Sequence, residues 1–312
     1  MRIIIELDKD LPTLALSEAL SICNTDKYEK DENILILETS VRARKIVKKI
    51  SLARAVYKYE FSTKKEGVKK KIREHTWSFK EPIKVITRNA TPDETKKTIS
   101  ETCKKLEYPK VSMEKPKTRI TYIFTNKKAH CGILIGEPKL DLSTAMEKMP
   151  APHPSAMKPR IVKALINIAQ PTKSILDPFC GAGGFIVQAS KMGYETKGWD
   201  IDKGMIWRAK KNTATLKNVK IKNKNALTLK KAESIIADLP YGKNTRKQNM
   251  KKLYEQFFKT LKKTKFNNAV LILPKSSQPL KIAKKTGLKI TKHHEIYVHG
   301  TLTRIVMEVK KN

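Results

Sequence analysis

Apolar residues recur along this chain in two rhythms, one of period two and one of period near 3.6. In the opening stretch the two alternate. Ile3 to Leu7 predicts a strand, and Leu11 to Cys23 a helix opened by Pro12. Asn33 to Glu38 predicts a second strand, and Val41 to Tyr57 a basic amphipathic helix. That order implies a small α+β domain of ferredoxin-like type over residues 1–60. The charge run Lys64 to Arg73 predicts a loop or a helix start. Thr76–Phe79 and Ile83–Thr87 then read as strands, and Asp93–Leu106 as a helix begun by Thr91-Pro92-Asp93. Thr118–Thr125 and Ala129–Glu137 close this half as strands.

Pro138 to Pro154 breaks the periodicity and predicts a linker, with its core at 138–152. Beyond it, strands and helices alternate. Helices are expected at Lys158–Ala169, Gly183–Met192, Lys203–Leu216, Lys251–Lys263 and Gln278–Thr286. Strands are expected at Ser174–Leu176, Glu195–Trp199, Val219–Lys222, Ser234–Ala237, Ala269–Leu273, Leu288–His293 and Thr303–Val309. Alternation at this spacing implies a mostly parallel, doubly wound sheet over residues 153–312. The last two strands have no helix between them and predict an antiparallel hairpin.

Charge changes the picture most. Of 312 residues, 66 are Lys or Arg and 30 are Asp or Glu, a formal net charge of +36. Folding does not need this imbalance and self-repulsion opposes it, so a nucleic acid is the economical partner. A lysine-biased proteome is the competing cause. No apolar run approaches the roughly 18 residues of a spanning helix, so no membrane partner is expected. Met1 to Glu6 reads as a first strand rather than a signal peptide. The cysteines, Cys23, Cys103, Cys131 and Cys180, form no Cys-x-x-Cys pair, so no metal site is expected. They fit a reduced, cytoplasmic protein, with Cys180 as a small packing residue. Of His293, His294 and His299, the adjacent pair should point to opposite faces of a strand and hold no metal.

Two segments carry chemistry. Asp177-Pro-Phe-Cys-Gly-Ala-Gly-Gly184 follows an apolar run and opens a helix, a strand, glycine turn and helix in succession. Its glycines do not match the spacing of a dinucleotide loop. Asp238-Leu-Pro-Tyr-Gly242 sets a carboxylate, a backbone carbonyl and an aromatic ring at the end of a later strand. Ligands of open α/β sheets bind at that end. Together the segments suggest a pocket for a nucleoside cofactor beside a planar nitrogenous substrate.

The two segments resemble the cofactor loop and amine site of Rossmann-fold methyltransferases that use S-adenosyl-L-methionine (SAM) on exocyclic amines of bases. His153-Pro-Ser-Ala-Met-Lys-Pro-Arg160 and Trp199-Asp-Ile-Asp202 narrow the likeness. They resemble the archaeal THUMP-domain tRNA guanine-N2 methyltransferases that act at position 10. The likeness covers nearly the whole chain and is carried mainly from Pro152 onward. It implies a Rossmann-like SAM methyltransferase sheet behind an N-terminal ferredoxin-like plus THUMP α+β module. The domains would be 1–60 ferredoxin-like, 61–137 THUMP and 153–312 catalytic. It implies SAM as cofactor and tRNA as partner, and leaves the oligomeric state open.

Carried onto this sequence, the catalytic residues would be Asp238, Pro240 and Tyr241. Asp238 and the Pro240 carbonyl would accept hydrogen bonds from the guanine amine, while Tyr241 stacks on the base. The cofactor would be held by Asp177, Phe179, Gly181, Gly183, Asp200, Asp202, Asn225, Ala226, His153 and Met157. Asp177 would meet the methionine ammonium group and Asp200 the ribose hydroxyls. Asp202 also reads as a helix cap. Asn225-Ala226 stands where relatives have Asp-Ala, facing the adenine amine. Leu239 departs from the motif, which has proline there. The alternatives are methylation of another base amine, such as adenine N6, and a non-catalytic tRNA-binding protein.

Overall fold

The computed structural model describes residues 1–139, 142–144, 146–153, 157–241, 247–300 and 302–311. The chain divides into two compact units, Met1–Pro138 and Lys139–Asn312.

In the first unit, β1 (Arg2–Leu7), α1 (Pro12–Cys23), β2 (Tyr28–Asp31), β3 (Ile34–Glu38), α2 (Ala43–Lys49) and β4 (Ala53–Lys64) come first. That βαββαβ order is the ferredoxin-like one. Then follow α3 (Val68–Glu74), β5 (Ile83–Arg88), α4 (Pro92–Lys105), β6 (Thr118–Phe124) and β7 (Lys128–Gly136). All strands join one sheet of order β2-β3-β1-β4-β7-β6-β5. Strand β4 runs through residue 60 and pairs with β1 on one side and β7 on the other. Ile3, Ile4, Ile5, Leu35 and Tyr57 are fully buried in it. Each such side chain stabilises the fold by roughly 1.5–3 kcal/mol.

Three expectations for this unit need correction or completion. The helix expected over Val41–Tyr57 stops at Lys49, and β4 replaces its second half. The buried Glu18 carboxylate accepts from the Ser51 and Leu52 amides at 3.0 and 2.8 Å. Those donors are therefore engaged across the unit, and the β-forming Val56, Tyr57, Tyr59 and Phe61 follow. Thr76–Phe79 is not a strand. Lys80 N–H bonds the Thr118 hydroxyl instead of a ladder, while Trp77 packs edge-on against Phe61. Strand β2 has no counterpart in the hydrophobic pattern, because Tyr-Glu-Lys-Asp has no apolar alternation. The start of α4 is as expected. Thr91 accepts from Glu94 N–H at 3.2 Å and Glu94 accepts from Thr91 N–H at 2.8 Å, a reciprocal cap.

The second unit contains α5 (Pro159–Ile168), β8 (Ser174–Asp177), α6 (Gly184–Lys191), β9 (Glu195–Asp200), α7 (Lys203–Asn212) and β10 (Val219–Asn223). It continues with β11 (Ser234–Asp238), α8 (Lys247–Lys263), β12 (Asn268–Pro274), α9 (Pro279–Thr286), β13 (Lys292–His299) and β14 (Leu302–Lys310). The sheet order is β10-β9-β8-β11-β12-β14-β13. Its first five strands pair parallel, and β14 pairs antiparallel with β12 and β13. This is the doubly wound sheet with a closing hairpin. The first hairpin strand lies at 292–299 rather than 288–293, because the polar edge strand β13 carries little apolar signal. Leu288 and Ile290 pack on the core without joining a ladder. His293 is exposed and His294 buried against Glu308 at 2.7 Å, on opposite faces as expected. Among the described residues no helix is long and apolar enough to cross a membrane.

At the other end of this sheet, Glu233 accepts from the Thr172, Lys173 and Ser174 amides at 2.6, 3.0 and 2.8 Å. One side chain thus ties the start of β8 to the start of β11. Strand order reverses between β8 and β11, and the crevice at their C-terminal ends is where such sheets bind ligands.

Candidate active site

Three adjacent strands, β9, β8 and β11, end in Asp200, Asp177 and Asp238. Asp177 is 1% exposed and accepts from Phe179 N–H at 2.9 Å. Burial holds its carboxyl well above the usual carboxylate range. The Phe179 amide opposes this, while Asp238 and Asp200 push the same way as burial. After Asp177 the chain turns through Gly181 (φ +51°) and Gly183 (φ +91°), the left-handed region that favours glycine. A Cβ on Gly181 would meet nothing within 4 Å, so that side of the loop is open space. A Cβ on Gly183 would rest 3.5 Å from Ala209, so this glycine also serves close packing against α7.

Asp200 faces the loop. Its carboxylate accepts from Gly181 N–H and from Asp202 N–H, both at 2.9 Å. A carboxylate offers about four lone-pair sites, so two remain for hydroxyls. Asp202 caps α7, accepting from Gly204 and Met205 at 2.7 and 3.0 Å. Cys180 is buried, and burial followed by Asp177 and Asp200 pushes its thiol far up, so it packs rather than attacks. Asn225 begins a short turn and accepts from Leu227 N–H at 2.9 Å, with Ala226 buried behind it. His153 and Met157 are half-buried, and Pro154 and Ser155 lie outside the described residues.

The turn after β11 is braced from three sides. Leu239 is 1% exposed, and its N–H donates to Ile272 O at 3.0 Å, extending the β11–β12 ladder by one residue. A proline there would have no donor. Tyr254 of α8 donates to the Pro240 carbonyl at 2.5 Å. Tyr241 donates to Asp238 Oδ1 at 2.5 Å. Asp238 is partly buried. Desolvation raises its carboxyl to about 6, against the pull of Arg304 and the Tyr241 hydroxyl. Gly242 lies outside the described residues.

Four further participants carry no local sequence signal. Arg304 of β14 is 5% exposed and sits 5.3 Å from the Tyr241 ring centroid. Tyr254 braces the Pro240 carbonyl. Asn212 donates to Ala151 O and Ala182 O at 3.0 and 2.9 Å and accepts from Ala151 N–H at 2.8 Å. Arg208 adds a bond to Pro152 O at 2.9 Å. The segment leading to His153 is therefore fastened to α7 and to the glycine loop. Asn212 and Tyr254 sit on helix faces that read as ordinary core or polar positions. Arg304 reads as one more cation among 66.

Known proteins resemble this chain. Over 215 residues the chain is 30% identical to a tRNA (guanine(10)-N2)-dimethyltransferase of Pyrococcus abyssi, covering 64% of this chain and 65% of that protein. Over 174 residues it is 28% identical to the protein of the same name from Methanocaldococcus jannaschii, covering 51% and 47%. The match thus spans from about half to just under two thirds of these relatives. Among solved structures, TrmN from Thermus thermophilus superposes with a TM-score of 0.51 at 16% identity, over 100% of both chains. SMU.472, solved with SAH, gives 0.51 at 15%, over 100% and 98%. These two likenesses bear on the fold alone. Residues 147–305 match the model of a family described as RMKL-like, methyltransferase domain. On that match, which takes in the loop, the acidic strand ends and the braced turn, this chain belongs to the RMKL-like methyltransferase-domain family.

Proposed function

We propose that this chain is a SAM-dependent tRNA methyltransferase that methylates the N2 amine of guanosine 10. The reading is carried by the Asp238–Tyr241 turn, fixed at the switch-point crevice beside Asp177. The names of the archaeal relatives support the substrate. The charge of the crevice supports the cofactor. Carboxylates of Asp177, Asp200 and Asp238 converge there, and the latter two add to burial in raising the proton affinity of Asp177. Such a site repels a pyrophosphate and attracts a ligand carrying ammonium and sulfonium charges. The open side of Gly181 leaves room for it.

When bound, SAM would supply the methyl group, its sulfur keeping the C–S electron pair, and the N2 amine that accepts it would give up one proton to solvent. Asp177 binds the ammonium end, and Asp200 takes the ribose hydroxyls with its remaining lone pairs. Phe179, Gly181, Gly183, Asp202, Asn225, Ala226, His153 and Met157 line or support the cofactor. Asp238 and the Pro240 carbonyl accept hydrogen bonds from the amine. They orient its lone pair and stabilise the positive charge that grows on nitrogen. Tyr254 on the same carbonyl fixes its direction in advance. The target base stacks on the Tyr241 face opposite Arg304.

Residues 1–60 and 61–137 form the ferredoxin-like and THUMP parts of a tRNA-holding module. The test is methyl transfer from labelled SAM to tRNA transcripts with G10 or A10, followed by nucleoside mass spectrometry. The expected products are N2-methylguanosine and N2,N2-dimethylguanosine from the G10 transcript alone. Equal labelling of both transcripts would refute the assignment.

A further inference from the structure

Strand β14 runs antiparallel to β12, so its early residues lie at the sheet end where β8, β9 and β11 finish. Arg304 pairs with Pro274 across the β12–β14 ladder, and Asp238 pairs with Ile272 across β11–β12. The two side chains thus reach one crevice from strands separated by β12. An arginine only 5% exposed is unusual, since the guanidinium stays charged. Arg304 sits 5.3 Å from the Tyr241 ring centroid, and Tyr241 donates to Asp238 at 2.5 Å. Cation, ring and carboxylate form one chain of contacts. No other cation among the described groups acts on the Asp238 carboxyl.

We propose that Arg304 is a positioning residue for methyl transfer: it fixes the Tyr241 ring from one face and supplies the buried positive charge that keeps the Asp238 carboxylate an acceptor toward the target amine. This role rests on the function proposed above. The described ionisable groups around Asp238 are Asp177 on β8, Tyr241 in its own turn, Tyr254 on α8 and Arg304 on β14, with Asp200 of β9 beside Asp177. Burial drives the Asp238 carboxyl up, and Arg304 is the larger of the two influences that hold it near 6. Without the guanidinium the acid would stay protonated at higher pH and offer the amine a donor in place of an acceptor.

The experiment is steady-state methyl transfer to tRNA between about pH 5.5 and pH 8.5 for wild type, R304K, R304M and D238A, with SAM affinity by calorimetry and melting temperature at each pH. Wild-type kcat should fall on the acid side near pH 6, where Asp238 protonates. In R304M this limb should move up by about one pH unit, a loss of about tenfold at the acid end that recovers toward pH 8. SAM affinity and the KM for tRNA should stay within about twofold of wild type, because a positioning residue acts through Tyr241 and Asp238 and holds neither ligand itself. R304K should restore the limb, since it keeps the charge. A limb unmoved in R304M, or an equal loss at every pH with raised KM, overturns the role. If R304M does not fold, R304Q takes its place. An inactive wild type, or a fully active D238A, instead refutes the functional reading. The Arg304–Asp238 coupling is then read from melting alone. R304M must lose more stability at about pH 8, with Asp238 charged, than at about pH 5, and equal losses overturn the proposal.

Discussion

D238N should make this protein more stable and do so only above the pH at which Asp238 ionises. In the folded protein desolvation lifts this carboxyl from 3.8 to about 6. A folded-state pKa above the unfolded one means the native state holds its proton longer. Stability is therefore greatest below about pH 4 and is lost as pH rises through about 6. At about 1.36 kcal/mol per pH unit, a rise of this size gives an upper figure of about 3 kcal/mol. The carboxylate keeps some solvent contact, and screening reduces this to about 2 kcal/mol. Asparagine mimics the protonated acid in shape and still accepts from the Tyr241 hydroxyl. It also relieves Asp177 of a like charge, which acts in the same direction. For a domain of this size, ~2 kcal/mol corresponds to a melting rise of about 4–8 °C. Thermal unfolding of wild type and D238N at about pH 8 and about pH 3 measures it. The difference should be present at the first and nearly absent at the second. An equal difference at both, or destabilisation at the higher pH, would refute the claim that a buried charge is held there at the expense of stability.

Other substitutions separate the roles of the acids. D238A should abolish transfer with SAM affinity nearly unchanged, a loss on the order of 2.7–4 kcal/mol of transition-state stabilisation, measured as kcat/KM beside calorimetry. D200A should weaken SAM by roughly 1.5–3 kcal/mol and also loosen the loop, because Gly181 and Asp202 lose their acceptor. Unchanged affinity would move the ribose contact elsewhere. Glu233 behaves oppositely to Asp238. Burial raises its carboxyl, but the Thr172 side chain and the Thr172, Lys173 and Ser174 amides overcome this and hold it down at about 2. E233Q should therefore cost up to about 2 kcal/mol above about pH 5, and the difference should vanish as pH falls toward 2, as urea unfolding would show.

Much of the second unit was legible because its central strands are buried on both faces and flanked by helices of clear period. Ile235-Ile-Ala and Ala269 to Leu273 could hardly be anything else. The glycine loop and the Asp-x-Pro-Tyr turn were legible for another reason, that few residue types satisfy a left-handed turn or a fixed acceptor pair. The first unit was harder. The basic run from Val41 to Tyr57 has helical charge spacing up to Lys49, and nothing local says that Glu18, 33 residues before Ser51, will bind its backbone. Arg304, Tyr254 and Asn212 escaped for the same reason. Each acts on a residue at least 14 positions away, and its role exists only once the strands are ordered.

The Leu239 amide bond has a thermal consequence. A proline stiffens a turn by removing conformations from the unfolded chain, an entropic contribution whose weight grows with temperature. Leu239 instead holds its turn through a bond to Ile272 and a side chain packed into the core, and the bond's contribution is made in the folded state. The turn that carries the proposed amine site is thereby held by a bond made in the folded state, where a proline-bearing turn is held by entropy. Its acceptor geometry should slacken on heating sooner than that of a proline-bearing relative, and local opening of this turn, followed by hydrogen exchange at the Leu239 amide, is where the slackening would first register.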